Sequence, residues 1–226
     1  MIRYLRQLEL NDFSLKDLIT LHQKKILIIG MGGLGQPIAF HLLSAGVTHL
    51  GIADKDQAEI SNLNRQVFIK ESDLGRNKVD VVKEELLKRN SDSIIDTYPV
   101  FIDKNNIKDI IKQYDLVVDA TDNWESKLLI NDACHELRIP FLHVGVLGYQ
   151  GQYALLPNDS DISLKNIIDE EILKEPFDGV FGAMVSIIAS MAALSAIKYL
   201  LGNHCFDNQL IAYDFKKQSI KKLLIK

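Results

Sequence analysis

A glycine-rich turn, Gly30-Met31-Gly32-Gly33-Leu34-Gly35, follows a short apolar run rich in isoleucine and precedes an apolar segment of helical character. In this setting the backbone can approach phosphates closely, and the N-terminus of the following helix attracts negative charge. We therefore predict a nucleotide site that includes Gly30, Gly32, Gly33 and Gly35. The turn alone is compatible with NAD, with ATP, and with close strand and helix packing that serves no ligand.

Charged residues further along the chain discriminate between these ligands. Asp54 ends a second apolar run, where a carboxylate can accept hydrogen bonds from the ribose of NAD or ATP. Arg65, in the segment Ser61-Asn62-Leu63-Asn64-Arg65-Gln66, and Lys78, at the start of a predicted helix, could neutralise a transferring phosphate. Each cation alone is more commonly a solvated surface charge. A hydride-transfer enzyme needs neither, so together they favour ATP chemistry.

Thr121-Asp122-Asn123 follows another apolar run, at the carboxyl edge of the predicted sheet. A carboxylate at this position suits Mg²⁺, which binds one or two carboxylates, waters and substrate phosphates. Alternatively, Asp122 caps the helix that begins near Trp124, and the two roles can coexist. Asp56 is interpreted as a turn residue. These residues predict MgATP as the ligand, with Asp122 as the metal ligand.

The elements that must position these residues alternate along the chain. We predict strands at 25–29, 49–53, 94–101, 116–120, 141–146, 152–156, 210–215 and 219–225, and helices at 34–45, 77–89, 105–113, 125–138 and 180–201. Repeated strand and helix units imply a mainly parallel sheet with helices on both faces. The last strands add antiparallel pairs. The predicted fold class is therefore Rossmann-like α/β with C-terminal antiparallel strands.

We expect a single domain over 1–226, with an N-terminal helical segment (1–23), a nucleotide-binding core (24–148) and an extension (149–226). Within the extension, 179–197 contains no charged residue and reaches the length of a membrane span. Its content of Ala, Gly and Ser favours a buried or subunit-interface helix instead.

The composition excludes several classes of protein. The chain has 226 residues, of which 47% are hydrophobic and 25% are charged, as in ordinary globular domains. Its formal net charge of -4 provides no basic surface for nucleic acid or anionic membrane. Cys134 and Cys205 are too far apart in sequence for a zinc motif or a disulfide framework. With no apolar stretch after the N-terminal charges, we expect a cytoplasmic protein.

The ordered set of motifs resembles the ThiF/MoeB/HesA family, whose members are related to the ubiquitin-activating enzymes. The resemblance covers nearly the whole chain and is carried by Arg3-Tyr4-Leu5-Arg6-Gln7, the turn at 30–35, Asp54, the segment 61–66, Lys78, Thr121-Asp122-Asn123 and Gly179-Val180-Phe181-Gly182. It implies adenylation of the C-terminal glycine carboxylate of a small ubiquitin-like sulfur carrier ending in Gly-Gly. MgATP would be consumed and pyrophosphate released, for thiamine or molybdopterin biosynthesis.

The resemblance also implies roles for individual residues. Asp54 would hold the ribose, Arg65 and Lys78 would contact phosphates, and Asp122 would hold Mg²⁺. The further nucleotide contacts that it implies are Gly30, Gly32, Gly33, Gly35, Ser61, Asn62, Leu63, Asn64 and Asn123. Arg6 would reach into the site of a partner subunit, which implies a homodimer.

The chain departs from the family in its cysteines. Many members bind structural zinc through two Cys-x-x-Cys pairs, and some use a cysteine at a position within 157–178 to link covalently to the carrier. Neither feature occurs here. We therefore predict no zinc and a reaction that stops at the acyl-adenylate. We expect Cys134 to be buried, Cys205 to be a loop thiol, and the segment 157–178 to be held by other contacts or to be mobile.

Other functions stay open. The same chemistry could adenylate a peptide or the carboxylate of a modified tRNA base, although the acidic charge argues against tRNA. A non-catalytic subunit could retain the fold and contribute Arg6 to another protein. An NAD-dependent dehydrogenase is what the glycines alone would predict. Because an acceptor carboxylate is already ionised at neutral pH, no general base is needed, and His41, His49 and His143 are interpreted as packing residues.

Overall fold

One sheet of eight strands organises the chain in a computed structural model that describes residues 2–166, 179–204 and 207–225. The strands are β1 (Lys25–Ile29), β2 (His49–Ala53), β3 (Ile94–Tyr98), β4 (Leu116–Asp119), β5 (Phe141–Leu147), β6 (Gln150–Leu156), β7 (Gln209–Asp214) and β8 (Ser219–Leu224). Their order is β3-β2-β1-β4-β5-β6-β7-β8. The first five strands pair in parallel, and β6, β7 and β8 are antiparallel. The predicted fold class is confirmed.

Helices cover both faces of this sheet. They are α1 (Leu5–Leu8), α2 (Leu15–His22), α3 (Gly35–Ala45), α4 (Lys78–Arg89), α5 (Ile107–Ile111), α6 (Trp124–Glu136) and α7 (Gly182–Leu200). Alternate residues of β1 point to opposite faces. Ile26 and Ile28 pack in one apolar cluster with α3, α4 and α7, whereas Leu27 and Ile29 pack in a second cluster with α5 and α6.

The predicted bounds hold best where an apolar run ends at a turn. The predicted strands at 25–29 and 49–53 have the bounds of β1 and β2. By contrast, the strand predicted at 94–101 ends at Tyr98, because Pro99 has no N–H to donate to a strand ladder. The helix predicted at 105–113 is limited to α5, and β6 begins at Gln150, two residues earlier than predicted.

The long apolar helix α7 is largely a core helix. By length and composition it could cross a membrane, but half of its most apolar window is buried within the fold. It packs against α3, β5 and β6. At Gly151 on β6, a Cβ would lie 2.2 Å from Cγ1 of Ile188, so the helix and the sheet are in close contact. This packing agrees with the buried-helix interpretation.

The chain after β6 is tied down over the part that the structure describes. Asn131 of α6 accepts hydrogen bonds through Oδ1 from the Leu164 backbone N–H at 2.9 Å and from the Ser163 hydroxyl at 2.8 Å. The Ser160 hydroxyl donates to Asn208 at 2.8 Å, beside β7. These hydrogen bonds hold Ser160, Ser163 and Leu164 within the described part of the segment 157–178. The rest of the predicted segment, together with Cys205, lies outside the described residues.

Candidate functional site

A large cavity opens at the carboxyl ends of the parallel strands, where the sheet order reverses between β1 and β4. Its volume is about 970 Å³, near the upper end of the range of about 300–1,000 Å³ for small-molecule sites. Ligands of open α/β sheets bind at such a reversal. Among the predicted residues, the cavity lining includes Gly30, Gly32, Gly33, Asp54, Ser61, Asn62, Asn64, Arg65, Lys78, Asp122 and Asn123.

The glycine turn is built for close backbone contact. Gly30 has φ +95°, and a Cβ there would lie 2.6 Å from the carbonyl oxygen of Ala120, so glycine is required. A Cβ on Gly35 would lie 1.9 Å from the carbonyl oxygen of Gly30. Gly35 therefore serves the packing of α3 on the turn, and it is not among the residues that line the cavity. The N-cap residue of α3 is Leu34, whose apolar side chain forms no capping hydrogen bond.

Asp54 connects the end of β2 to this turn. Its Oδ2 accepts a hydrogen bond from the Met31 backbone N–H at 2.7 Å, and its Oδ1 accepts one from the Asp56 N–H at 2.8 Å. Burial raises the pKa of Asp54 in spite of these bonds. Each carboxylate oxygen has a second lone pair, so Asp54 can still accept a hydrogen bond from a hydroxyl in the cavity.

Lys78 is anchored by an ion pair that the sequence did not reveal. Its Nζ lies 2.9 Å from Oδ2 of Asp56, and its backbone N–H donates to the Asp56 carbonyl. The Lys78 side chain is 8% exposed, whereas that of Asp56 is 52% exposed. Asp56 is therefore more than a turn residue, because it holds the ammonium group at the cavity wall.

Arg65 presents a positive charge without a carboxylate partner in the part of the chain that the structure describes. Its Nη1 donates to the Ser61 carbonyl at 2.8 Å and to Oδ1 of Asn64 at 3.0 Å. Asn62 is buried and accepts the Glu59 N–H through Oδ1. Leu63 packs in a small apolar cluster and is not among the residues that line the cavity.

Asp122 is an exposed carboxylate on the cavity wall. The α6 cap is Asn123, whose Oδ1 accepts the Ser126 N–H at 2.9 Å, so the alternative role of Asp122 as that cap is wrong. An unengaged carboxylate oxygen is a suitable ligand for Mg²⁺. Among the described residues, no group of three or more His, Cys, Asp or Glu could hold a metal.

Two features of the cavity escaped the sequence analysis. Val100, Phe101 and Ile102 form an apolar wall after Pro99, and Nζ of Lys55 lies 4.7 Å above the Phe101 ring. The sequence contained a signal for this wall. Pro99 ends the strand ladder of β3, so the three apolar residues that follow it cannot belong to that strand.

The second feature is a buried polar cluster of Asp119, Lys127 and His143, of which Lys127 lines the cavity. Nζ of Lys127 lies 3.0 Å from Oδ2 of Asp119, and Nδ1 of His143 lies 3.3 Å from the same oxygen. Burial disfavours the charged form of Asp119, but Lys127 and the hydrogen bond from His143 outweigh it, so the pKa of Asp119 is lowered. For His143, burial disfavours the charged imidazolium and so lowers the pKa. The interpretation of His143 as a packing residue agrees with its burial.

The ThiF family profile matches residues 4–226. This match covers nearly the whole chain. The chain belongs to the ThiF family. Its resemblance to that family, inferred from the motifs, is confirmed.

Individual ThiF family relatives and neighbours add detail. "Adenylyltransferase and sulfurtransferase MOCS3" of Culex quinquefasciatus is 34% identical over 99% of this chain and 52% of its own length. The chain spans about half the length of the curated relatives it matches. The structure of E. coli MccB with MccA-N7isoASN has a TM-score of 0.90 at 22% identity, covering 99% of this chain and 72% of that one. E. coli MccB with ATP has a TM-score of 0.83 at 23% identity, over 92% and 66%. These two likenesses support the fold.

Arg6, which the family resemblance assigns to a partner's site, does not line the cavity of its own chain. Its side chain is 92% exposed and pairs with Glu9 at 2.9 Å on the same helical turn. Cys134 is buried as predicted, and burial raises the pKa of its thiol. A buried protonated thiol is unsuited to nucleophilic chemistry.

Proposed function

We propose that this ThiF family chain is an ATP-dependent adenylyltransferase that activates the C-terminal carboxylate of a ubiquitin-like sulfur-carrier protein. The observation that carries the proposal is the convergence of Arg65, Lys78 and Asp122 on one cavity beside the glycine turn. Two cations and a carboxylate that forms no ion pair among the described residues suit a triphosphate and its metal. The name of the Culex relative, adenylyltransferase and sulfurtransferase, supports the same chemistry.

The cavity lining suggests how MgATP would bind. The adenine would contact the apolar wall of Val100 and Phe101, and the ribose hydroxyls would donate to Asp54. The phosphates would lie at the uncapped N-terminus of α3, between Arg65 and Lys78. Asp122 would hold Mg²⁺, which when bound neutralises phosphate charge and orients the phosphates for displacement.

The reaction needs positioning more than proton transfer. An oxygen of the acceptor carboxylate attacks the α-phosphorus, and the bond to the bridging oxygen of the β-phosphate breaks. The products are an acyl-adenylate and pyrophosphate. A C-terminal carboxyl has a pKa of about 3.3–3.7 in model peptides, so it is already ionised at neutral pH. Arg65 and Lys78 would act by neutralising charge that moves to the leaving pyrophosphate.

The acceptor would enter from the opposite end of the cavity. That end is lined by Gly145, Val146, Gly179 and Val180. Two of the four residues have no side chain, so an extended tail ending in Gly-Gly can approach their backbone closely. We therefore propose that the end of β5 and the extension 149–226, through Gly179 and Val180, together bind the carrier.

We further propose a homodimer in which Arg6 completes the partner's site. On α7, Ile187 and Leu194 have relative exposures of 38% and 57%, so these apolar residues are available for a subunit contact.

Equimolar mixing of the inactive variants Arg6→Ala and Lys78→Met tests the assignment of Arg6 to the partner's site. If Arg6 acts across the dimer, half of the dimers are mixed and each has one intact site, so roughly a quarter of wild-type activity returns. No recovery after subunit exchange would contradict it.

A second candidate is adenylation of a peptide, favoured by the fold likeness to the MccB complexes with MccA. A modified tRNA carboxylate fits the net charge of -4 less well. A non-catalytic subunit would have no use for Arg65, Lys78 and Asp122 around one cavity. Pyrophosphate release with MgATP separates these candidates. We expect release with a ubiquitin-like carrier from the same organism and none with the carrier lacking its last two glycines. Release with peptides alone would favour the second candidate.

Calorimetry provides a separate test of the nucleotide. We expect the isolated protein to bind ATP in the presence of Mg²⁺. Binding of NADH without binding of ATP would contradict the proposal and support a dehydrogenase. If the protein binds neither ATP nor NADH, the result would support the non-catalytic subunit.

A further inference from the structure

The ion pair of Asp119 and Lys127 lies beneath the cavity and has no part in the reaction proposed above. The two side chains are 0% and 4% exposed, and Nζ lies 3.0 Å from Oδ2. Removing two charges from water costs several kcal/mol for each ion, so a buried pair is weak evidence for a role in stability. The contacts of the pair suggest a different role.

On one side, the pair fixes the turn that carries Asp122. Oδ1 of Asp119 accepts hydrogen bonds from the Thr121 backbone N–H at 3.1 Å and from the Thr121 hydroxyl at 2.6 Å. Asp122 is the next residue along the chain. The position of its carboxylate therefore depends on the orientation of the Asp119 side chain, which Lys127 and His143 hold from the other oxygen.

On the other side, Lys127 connects this turn to β5. Its Nζ also donates to the Val144 carbonyl at 2.9 Å, one residue before Gly145 at the end of the cavity that we assign to the acceptor. His143 is held in turn by Gln152 of β6 at 3.3 Å and stacks on Trp124. One buried ammonium group thus joins the two walls of the cavity.

We propose that Lys127 is a positioning residue that, through Asp119 and Thr121, orients Asp122 toward Mg²⁺ bound with ATP. This proposal rests on the proposed function, because it concerns the metal of the same nucleotide site. Partners that orient metal ligands typically contribute about 10–100-fold to metal affinity or activity. The predicted effect is therefore on the energetic coupling between Mg²⁺ and ATP, not on the affinity for free ATP.

The test uses the dissociation constant of ATP measured by calorimetry, with Mg²⁺ and with EDTA, on the full chain. The ratio of the two constants measures the coupling. The matched pair is Thr121→Val, which removes the hydroxyl bonded to Asp119, and Thr121→Ser, which retains it. The double variant Asp119→Asn/Lys127→Met removes both charges together, so no single buried charge is left. Asp132→Asn, which breaks an exposed ion pair of α6 with Lys165, is the control.

We expect the double variant to lower the coupling ratio about 10–100-fold and Thr121→Val to lower it severalfold. Thr121→Ser and Asp132→Asn should retain the wild-type ratio, and the EDTA constants should change little. Wild-type coupling in Thr121→Val and in a folded double variant would overturn the inference and leave the proposed function intact. If the double variant does not fold, the Thr121 pair decides. A wild-type protein that binds no ATP would refute the proposed function itself, and the inference with it.

Discussion

Lys78→Met should reduce catalysis with little loss of stability, because its ion-pair partner, Asp56, is half exposed to solvent. Asp56 keeps 52% of its side chain exposed, so the charge left behind stays solvated. Ion pairs between exposed partners contribute about 0–1 kcal/mol; here the buried lysine is removed, no buried charge is left, and methionine retains most of the apolar stem. We therefore expect the free energy of unfolding to fall by no more than about 1 kcal/mol, measured by urea denaturation.

The effect on catalysis should be much larger. Removing one preorganised donor to developing charge typically costs about 2.7–4 kcal/mol, or about 10²–10³-fold in kcat. The assay is carrier-dependent exchange of labelled pyrophosphate into ATP, with Lys88→Met as the control. Lys88 lies on the same helix and pairs with Glu85, but 63% of its side chain is exposed. Exchange within about twofold of wild type in Lys78→Met, or an equal loss in Lys88→Met, would refute the assignment of Lys78.

Three further predictions concern the buried groups and the turn. Lys127→Met should destabilise the fold by about 3–5 kcal/mol in urea, far more than Lys78→Met, because Asp119 would be left as a buried unpaired charge; a loss below about 1 kcal/mol would contradict this. Because its folded pKa lies below the usual 6.5, His143 stabilises the fold above that pH and loses this contribution as the pH falls through the lowered pKa. We expect the melting temperature in thermal scans to fall below pH 6.5, and we expect His143→Gln to reduce this fall. The contribution of His143 to the free energy of unfolding should change by no more than about 1.4 kcal/mol per pH unit. Gly30→Ala should be more destabilising than Gly202→Ala in thermal melts: both have positive φ, but a Cβ at Gly202 meets nothing within 4 Å; equal losses would show that the carbonyl contact is unimportant.

The sequence was sufficient for features that local chain chemistry determines. The bounds of β1 and β2 follow from apolar runs that end at turn residues. The ordered motifs also predicted eleven nucleotide contacts that line a single cavity. Parallel strands bring their carboxyl ends to one edge, so residues that follow different strands must converge there.

Contacts between distant residues were not accessible in the same way. Asp56 and Lys78 are 22 residues apart, and the tertiary fold brings them together beside a β-bridge between Gln57 and Asn77. Lys127 belongs to a helix with other polar residues, where a lysine ordinarily indicates a solvated face. Its burial depends on the position of α6 over β4 and β5. Asp122 and Asn123 were both suitable caps by residue type, and the backbone geometry selected Asn123.

The central claim is tested most directly by exchange of labelled pyrophosphate into ATP in the presence of Mg²⁺ and ubiquitin-like carriers ending in Gly-Gly from the same organism. We predict exchange that requires the carrier, disappears when its terminal glycines are removed, and is lost in Lys78→Met. No exchange with any such carrier, from a protein shown to bind MgATP, would contradict the account.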